Sequence, residues 1–401
     1  MQQAADSHLL ALKVMADGLD PLLVAKGHGV GVGLIDRALR QAVDDGLILS
    51  PPSSLCRGQS ALTASAVDPA FLTAEVFTVQ WHVTQACDLH CKHCYDRTGR
   101  PALPLDRGLR FLDDLRQFCL QRFVSGQVTF TGGNPLLYPH FLALYRGAVE
   151  RGFAVAILGN PAPREQLQAV VAEAKPLFYQ VSLEGLEAHN DAIRGPGHFA
   201  RVIDFLALLK ELGIFSMVML TLTSENQGQV LPLAEFLRDR VDLFTFTRLA
   251  QVGEGAKLRG PTREGYRRFL EDYCQAAGQN PCMGFKDNLF SLLAVEGGGH
   301  PLGGCTGHGC GAAFNFVAVL ADGEVHACRK FPSPLGNVFS QRLATVYDSA
   351  RAAAYRQGSA ACQGCALRPL CGGCLAVSHG LGLPPLKVRD PYCWREGLAG
   401  V

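Results

Sequence analysis

Apolar runs and amphipathic stretches alternate along the chain from residue 77 onward. The runs have the length of buried strands, whereas the apolar residues between them recur at helical spacing, for example over 198–212 and 231–240. The predicted strands cover 77–83, 127–131, 154–158, 178–183, 216–221 and 243–249. Because such alternation implies parallel strands joined by right-handed crossovers, the pattern predicts an α/β fold. Six units over 77–260 indicate a partial, (β/α)6 version of the eight-unit TIM-like barrel.

A different pattern precedes the barrel, in residues 1–58. Leucines near the start predict a first helix, several glycines then interrupt the chain, and 34–45 has the spacing of an amphipathic helix. The apolar residues 47–49 predict a short strand, and the Pro-Pro-Ser-Ser run at 51–54 predicts a boundary that few contacts cross, followed by a linker over 59–76. Helix, turn, helix and strand in this order are typical of a winged-helix-like unit; a plain helical appendage is the alternative.

The composition changes again towards the C-terminus. Thr262 is placed to cap one further helix that runs to about Ala277, within a bridging segment over 261–300. Over 301–401, glycine and cysteine dominate and helical spacing is rare. This part of the chain is therefore expected to be a small cysteine-rich domain held together by metal rather than by an apolar core.

The size and charge of the chain narrow the class of protein. Its 401 residues suffice for two or three domains, and 48% hydrophobic residues suffice for a sizeable core. The net charge of +1 provides no general attraction to nucleic acid or to an anionic membrane surface, so neither is expected as a partner. No apolar run approaches the ~20 residues of a membrane span, and the first residues lack a signal-peptide pattern, which predicts a cytoplasmic protein.

The 15 cysteines add a candidate chemistry, because disulfides are rare in the cytoplasm and clustered cysteines there more often bind metal. Cys87, Cys91 and Cys94 form one group directly after the first predicted strand, where loops of barrel enzymes carry the active site. Three thiolates can hold three irons of a cubane and leave the fourth iron open, whereas iron–sulfur clusters normally take four cysteines. A zinc knuckle completed by a nearby histidine is the alternative.

The spacing of these three cysteines resembles the signature of the radical S-adenosylmethionine (SAM) superfamily, over about residues 77–260. The resemblance implies that the open iron binds the amino and carboxylate groups of SAM, and that electron transfer into the sulfonium releases a 5′-deoxyadenosyl radical. The run Thr-Gly-Gly-Asn-Pro at 131–135 is similar to the family's glycine-rich motif, which binds the SAM amino group. Asn134 stands where the family usually has glutamate, so a carbonyl acceptor is kept and a charge is lost.

The same resemblance assigns further positions to SAM. Ser182 and Glu184 close the fourth predicted strand and are similar to the family's ribose-contacting segment. Arg194 is a candidate partner of the SAM carboxylate because of its charge; a solvated surface residue is the alternative. The predicted cofactor-binding residues are His93, Gly132, Gly133, Asn134, Ser182, Glu184 and Arg194, and the predicted catalytic cluster ligands are Cys87, Cys91 and Cys94.

The second cysteine group resembles the SPASM domain, an extension that binds two auxiliary 4Fe–4S clusters in many radical SAM maturases. The resemblance thus implies three 4Fe–4S clusters; two zinc sites of the ribbon type are the alternative. By position, the first auxiliary cluster would take Cys305, Cys310, Cys328 and Cys374. The second would take Cys362, Cys365, Cys371 and Cys393. The other cysteines are expected to be small buried hydrophobes, namely Cys56, Cys119, Cys274 and Cys282.

Enzymes that resemble this arrangement mostly modify peptides or proteins. The resemblance implies a maturase that modifies a ribosomally made precursor peptide, with a thioether or a related crosslink or oxidation favoured. A reductant protein such as flavodoxin or ferredoxin would supply electrons, and the N-terminal unit would hold the precursor's leader, usually by an added strand. The sequences at 81–87 and 131–135 also resemble a group associated with cysteine- or selenocysteine-containing ("selenobiotic") precursors.

Two other functions stay open. One is a radical SAM enzyme that acts on a non-peptide substrate such as a haem precursor. The other is a zinc-binding regulator that reads DNA through the winged helix, although three aspartates against two arginines in 34–45 disfavour contacts with phosphates. Anaerobic sulfatase-maturing enzymes, another branch of the family, have an aspartate after the cysteine that matches Cys328. Here that residue is Arg329, which disfavours this branch.

Overall fold

The computed structural model describes residues 6–57 and 68–395. Half of the predicted linker 59–76 therefore lies outside the described residues, as do both ends of the chain. No helix in the two described ranges is long and apolar enough to cross a membrane.

The described chain begins with the helices α1 (Asp6–Ala16), α2 (Pro21–Gly27) and α3 (Val32–Asp44). Helices α1 and α3 confirm the prediction from the sequence, whereas α2 was not predicted. It begins at a proline whose neighbour Asp20 accepts a hydrogen bond of 2.8 Å from the amide of Leu22, which is a favourable helix start. We refer to α1–α3 as the N-terminal helical unit.

The predicted strand at 47–49 is wrong. The amides of Leu47 and Ile48 both donate to the carbonyl oxygen of Ala42, at 2.8 and 3.2 Å, and so continue the turn that ends α3. These amides are used locally and do not form a strand ladder. Within 6–50, the unit is helical and contains no wing.

Parallel strands form the barrel and confirm the predicted α/β architecture. The strands are β1 (Val76–Thr84), β2 (Ser125–Gly132), β3 (Ala154–Leu158), β4 (Tyr179–Ser182), β5 (Ser216–Leu222) and β6 (Leu243–Arg248). They follow one another in the sheet in chain order, and each neighbouring pair is parallel. Phe77, Val79 and Trp81 of β1 are completely buried, as expected for a strand covered on both faces.

Helices follow most of these strands and cover the sheet. They are α4 (Leu105–Arg122), α5 (Phe141–Glu150), α6 (Arg164–Glu173), α7 (Glu187–Arg194), α8 (His198–Glu211), α9 (Val230–Leu237), α10 (Arg263–Ala277) and α11 (Phe290–Glu296). The predicted cap of α10 is confirmed, because the side chain of Thr262 accepts a hydrogen bond of 3.0 Å from the amide of Gly265.

Helix α3 packs closely against the barrel. The carboxylate of Asp36 accepts two hydrogen bonds from the guanidinium of Arg116 on α4, at 2.9 and 3.0 Å, and both side chains are largely buried. A Cβ placed on Gly33 would lie 2.3 Å from the backbone nitrogen of Gly152, so only glycine allows this approach. The boundary at 51–54 was expected to have few contacts across it, and this expectation is wrong.

The cysteine-rich region continues the barrel sheet. Its regular elements are β7 (Phe316–Val319), β8 (Glu324–His326), β9 (Pro334–Asn337), α12 (Leu343–Tyr347), α13 (Ala350–Gln357) and α14 (Leu375–Gly380). Strand β7 pairs in parallel with β1, and β8 and β9 extend the sheet in antiparallel orientation. Val319 and Val325 belong to the same buried core as Trp81. The expectation that 301–401 lacks an apolar core is therefore wrong.

The cysteines outside the two groups differ in exposure. Cys119 and Cys282 are buried, and Cys274 is half-buried. Cys56 is exposed, so the prediction of a small buried hydrophobe is wrong at this position.

Candidate active site and cluster sites

A cavity of about 390 Å³ opens at the carboxyl ends of the barrel strands. We call it the reaction cavity. The loop after β1 brings Cys87, Cys91 and Cys94 to its wall. Other parts of the wall come from the ends of further strands, and include Gly132, Gly133, Asn160, Ser182, Thr221 and Arg248. Ligands of parallel α/β barrels bind at this edge, because the loops that follow the strands meet there.

Two glycines let the turn after β2 pack directly on the cysteine loop. Gly132 has a φ of +135°, and a Cβ there would lie 2.2 Å from the carbonyl oxygen of Thr84. A Cβ on Gly133 would lie 2.2 Å from the carbonyl oxygen of Ala86. Residues with a side chain do not fit at either position. The predicted glycine-rich motif is thus brought against the loop that carries Cys87.

Hydrogen bonds hold the side chain of Asn134, which is 4% exposed and lies behind the lining of the reaction cavity. Its Oδ1 accepts the amide of Leu136 at 3.3 Å, and its Nδ2 donates to Asp88 at 3.1 Å. Asn160 also donates to Asp88, at 2.6 Å, and its Nδ2 lies 3.6 Å from Sγ of Cys87. A carboxylate therefore lies next to this turn although the family's glutamate is missing. Asp88 and Asn160 are not predictable from the sequence, because contacts between separate loops leave no periodic pattern.

We predict that Asn134→Ala weakens SAM binding about ten- to a hundred-fold. The substitution removes the oxygen predicted to accept from the SAM amino group, and a hydrogen bond to a charged group contributes ~1.5–3 kcal/mol. Calorimetric titration of the anaerobic enzyme measures the effect. 5′-Methylthioadenosine lacks the amino acid part of SAM and should bind both forms equally. An unchanged SAM affinity would mean that backbone carbonyls alone hold the amine.

A buried network joins three of the predicted cofactor-binding residues. The Glu184 carboxylate accepts hydrogen bonds from Arg194 at 2.6 Å and from the backbone amide of Thr221 at 2.8 Å, and it lies 3.2 Å from Nε2 of His93. Burial alone would raise the pKa of Glu184, but the charges of His93 and Arg194 hold that pKa well below its usual range. Arg194 also lies 3.6 Å from Sγ of Cys91. The network therefore fixes a cation beside the cysteine loop.

The members of this network differ in whether they face the reaction cavity. His93 and Arg194 line it, as does Ser182 at the end of β4, whereas Glu184 is only 2% exposed and lies outside the lining. Glu184 thus orients Arg194 here, and its contact with the SAM ribose stays a prediction. Nδ1 of His93 is buried and has no hydrogen-bond partner within the described part of the chain. A bound cofactor can supply that partner, so the residues present fit the group.

The second cysteine group is divided between two small cavities. One, of about 50 Å³, is lined by Cys305, Cys310, Cys328 and Cys374. Burial raises the pKa of Cys310 to about 12 and that of Cys328 to about 11. Thiols of this kind lose their protons when they bind iron, so this donor set fits a cluster whose assembly releases protons.

The other cavity, of about 30 Å³, is lined by Cys362, Cys365, Cys371 and Cys393. Three guanidinium groups also line it, those of Arg368, Arg389 and Arg395. Their positive charge suits the negative charge of four thiolates. In the described ranges, no three His, Cys, Asp or Glu side chains converge on one metal-ion position. The thiolates of a cubane bind different irons and do not need to converge in this way.

Arg248, the last residue of β6, connects the barrel to the cysteine-rich region. Its guanidinium lies 2.8 Å from Asp287 and makes two hydrogen bonds of 2.8 Å to Asp390. Asp390 in turn accepts the amide of Cys374 at 2.7 Å. All three charged side chains are buried. The role of Arg248 is not predictable from the sequence, because nothing in its strand indicates the distant aspartates that bind it.

These sites together define a class of protein. A glycine turn and a three-cysteine loop meet at the strand ends of a partial barrel, and two four-cysteine cavities follow. Three thiolates leave one iron of a cubane open for SAM, whereas four thiolates complete a cluster. The donor sets fit an iron–sulfur enzyme in which the cluster and SAM supply radical chemistry and the chain positions the reactants.

Comparison with known proteins identifies the family. The model of the radical SAM superfamily matches residues 81–237, and the model of SPASM, an iron–sulfur cluster-binding domain, matches 310–374. The chain is 30% identical over 330 residues to the mycofactocin maturase MftC of Mycobacterium ulcerans, which covers 78% of this chain and 86% of that protein. The chain belongs to the radical SAM superfamily. Its cofactors are SAM with a 4Fe–4S cluster, and auxiliary iron–sulfur clusters in the SPASM domain.

Other similar proteins are named for the biosynthesis of a bacteriocin and for the synthesis of pre-haem d1. The antilisterial bacteriocin subtilosin biosynthesis protein AlbA of Bacillus subtilis is 25% identical over 280 residues, and the match spans 67% of this chain and 59% of AlbA. Pre-haem d1 synthase of Dinoroseobacter shibae is 28% identical over 253 residues, 60% of this chain and 57% of that protein. The structure of Streptococcus suis SuiB has a TM-score of 0.63 at 18% identity, over 98% of this chain and 94% of SuiB. This likeness confirms the fold.

Proposed function

We propose that this enzyme modifies a ribosomally made precursor peptide, by a thioether or related crosslink or by an oxidation. The observation that carries the proposal is the match to a mycofactocin maturase, because it extends over most of both chains. Two further proteins support it. AlbA is named for the biosynthesis of a bacteriocin, and SuiB has been solved bound to the precursor peptide SuiA. The resemblance at 81–87 and 131–135 favours a precursor that contains cysteine or selenocysteine.

The N-terminal helical unit offers a place for the leader of such a precursor. A groove of about 640 Å³ lies between α3 and α4. Its wall includes the apolar side chains of Leu39, Val43, Leu120 and Phe123, and the last two are nearly half exposed. Since residues 47–49 do not form a strand, we propose that the leader lies in this groove instead of pairing with a strand edge.

Co-expression with a short open reading frame next to the gene tests the proposal. We expect the encoded peptide to change in mass when enzyme, SAM and a reductant protein such as flavodoxin or ferredoxin are all present. An unmodified peptide under these conditions would contradict the proposal.

The leader groove is tested by Gly33→Ala, whose Cβ forces α3 away from Gly152. Docking of a leader raises the effective concentration of the core peptide to the order of mM, so turnover of full-length precursor should fall at least about tenfold. A core peptide without leader should be processed equally slowly by both forms. Gly27→Ala is the matched control, because its Cβ meets nothing within 4 Å.

A haem precursor is the second candidate substrate, favoured by the match to pre-haem d1 synthase over 60% of this chain. Incubation of the anaerobic enzyme with Fe-coproporphyrin III, SAM and reductant tests this alternative. A mass change in the porphyrin, with no change in any encoded peptide, would assign the enzyme to this class of substrate.

A further inference from the structure

The reaction cavity is lined by more cations than anions. Among the described residues that line the cavity, only Asp96 carries a carboxylate. Against it stand five cationic side chains, those of Arg97, Arg194, Arg248, Arg329 and Lys330. A surplus of this kind suits an anionic ligand, provided that the protein itself does not neutralise the charges.

Four of these cations already have partners within the protein. Arg194 pairs with buried Glu184, and Arg248 pairs with two buried aspartates. Lys330 donates to the carbonyl oxygen of Arg248 at 3.1 Å and also lines the first auxiliary cavity, so its charge serves the cysteines there. Arg97 is exposed to solvent and donates to a backbone carbonyl of the cysteine loop.

Arg329 differs from the other four. It is half-buried, and it lines the reaction cavity but not the auxiliary one. Its guanidinium lies near the phenol of Tyr95 and the imidazole of His82, which contact each other at 3.2 Å. No carboxylate in 6–57 or 68–395 pairs with it, in contrast to Arg194 and Arg248. A partly desolvated cation without a carboxylate partner is unfavourable, and an anion bound in the reaction cavity would relieve this cost.

SAM does not supply this anion. It brings one carboxylate together with a sulfonium and an ammonium group, and the negative charge of a cubane held by three thiolates offsets the excess. Arg194, beside Cys91, is already placed for the SAM carboxylate. The charge of Arg329 therefore remains when SAM and the cluster of the reaction cavity are both counted. The neighbouring Cys328 belongs to the first auxiliary cavity, which Arg329 does not line.

We propose that Arg329 binds a carboxylate of the substrate in the reaction cavity. The planar guanidinium matches a carboxylate in two-point geometry. The inference rests on the proposed function. In a precursor peptide the group is an acidic side chain or the C-terminal carboxylate. In a haem precursor it is a propionate. Either substrate reaches the cavity with an anionic group held next to the cysteine-rich region.

The test compares each substrate probe with its neutral counterpart, on the anaerobic holoenzyme loaded with SAM. One pair is the co-expressed precursor peptide and versions in which single acidic residues or the C-terminus are converted to amides. The other pair is Fe-coproporphyrin III and its methyl ester. We expect one carboxylate form to bind at least about tenfold more tightly than its neutral counterpart. Arg329→Met should abolish this difference, and Arg329→Lys should retain part of it.

Arg342→Met is the matched control, because this exposed arginine pairs with Asp114 outside the cavity. The Arg342→Met enzyme should prefer the carboxylate probe over its neutral counterpart as strongly as the wild type does. The iron content shows whether each variant folds. If neither pair shows discrimination, the inference is overturned, while a modified peptide on co-expression leaves the proposed function intact. If only the porphyrin pair discriminates, the inference stands and the peptide proposal fails. A loss of SAM affinity in Arg329→Met would assign the guanidinium to SAM and also overturn the inference.

Discussion

Replacing Cys87, Cys91 and Cys94 together with alanine is expected to remove about a third of the bound iron and to abolish SAM cleavage. Three 4Fe–4S clusters hold about twelve irons per chain, and about four of these belong to this loop. Without the three thiolates, nothing in the loop retains an iron with an open position for SAM. Iron and sulfide analysis after anaerobic reconstitution measures the first effect, and chromatography of 5′-deoxyadenosine measures the second.

Cys274→Ala is the matched control for this variant, because its half-buried thiol belongs to neither cysteine group. It should keep all of the iron and the normal rate of SAM cleavage. Continued release of 5′-deoxyadenosine by the triple variant would refute the catalytic role of the loop. A plateau near four irons in the wild type would refute the two auxiliary clusters.

Arg248→Met should destabilise the fold by about 3–5 kcal/mol, the range found when one partner of a buried ion pair is removed. Methionine leaves Asp287 and Asp390 buried without their counter-charge. Because Asp390 also accepts the amide of Cys374, the wall of the first auxiliary cavity should loosen and its iron should be lost more readily. The midpoint of denaturant unfolding, followed by circular dichroism, measures the loss of stability.

Arg164→Met provides the comparison for this effect. Arg164 binds Glu211 in a similar two-point geometry, with two contacts of 2.6 Å, but at the surface. Exposed pairs contribute only about 0–1 kcal/mol, so the midpoint should hardly move. If both variants lost equally little stability, the buried ion pairs of Arg248 would not be what holds the barrel to the cysteine-rich region.

The barrel could be predicted from the sequence because each buried strand carries its own local signal. The predicted strand 154–158 coincides with β3, since an uninterrupted apolar run marks a strand covered on both faces. The errors arose where distant or competing contacts decide the structure. Residues 47–49 are apolar enough for a strand, but the carbonyl of Ala42 binds their amides. Residues 301–401 looked coreless because β7 pairs with β1, which lies far earlier in the chain.

The candidate site likewise has some features that a local sequence pattern predicts and others that depend on distant contacts. Cysteine spacing is a local property, so every proposed cluster ligand could be named from the sequence, and the structure brings them to three cavities. The assignment of those ligands to clusters stays a prediction. Asp88 and Arg248 could not be predicted, because their roles come from hydrogen bonds between segments that are separate in sequence. Glu184 could be named from the sequence as a cofactor contact, but its contacts with the cysteine loop, α7 and β5 could not, because those partners lie on other segments of the chain.

The continuous sheet restricts how this enzyme can move. A swing of the cysteine-rich region away from the barrel would break the hydrogen bonds between β1 and β7 together with the buried pair of Arg248 and Asp390. Hinged opening between the two regions is therefore unfavourable. We expect a flexible substrate to enter a cavity whose walls keep their relative positions. The three cysteine-lined cavities would likewise keep a fixed separation, so clusters held in them would keep the same distance for electron tunnelling during turnover.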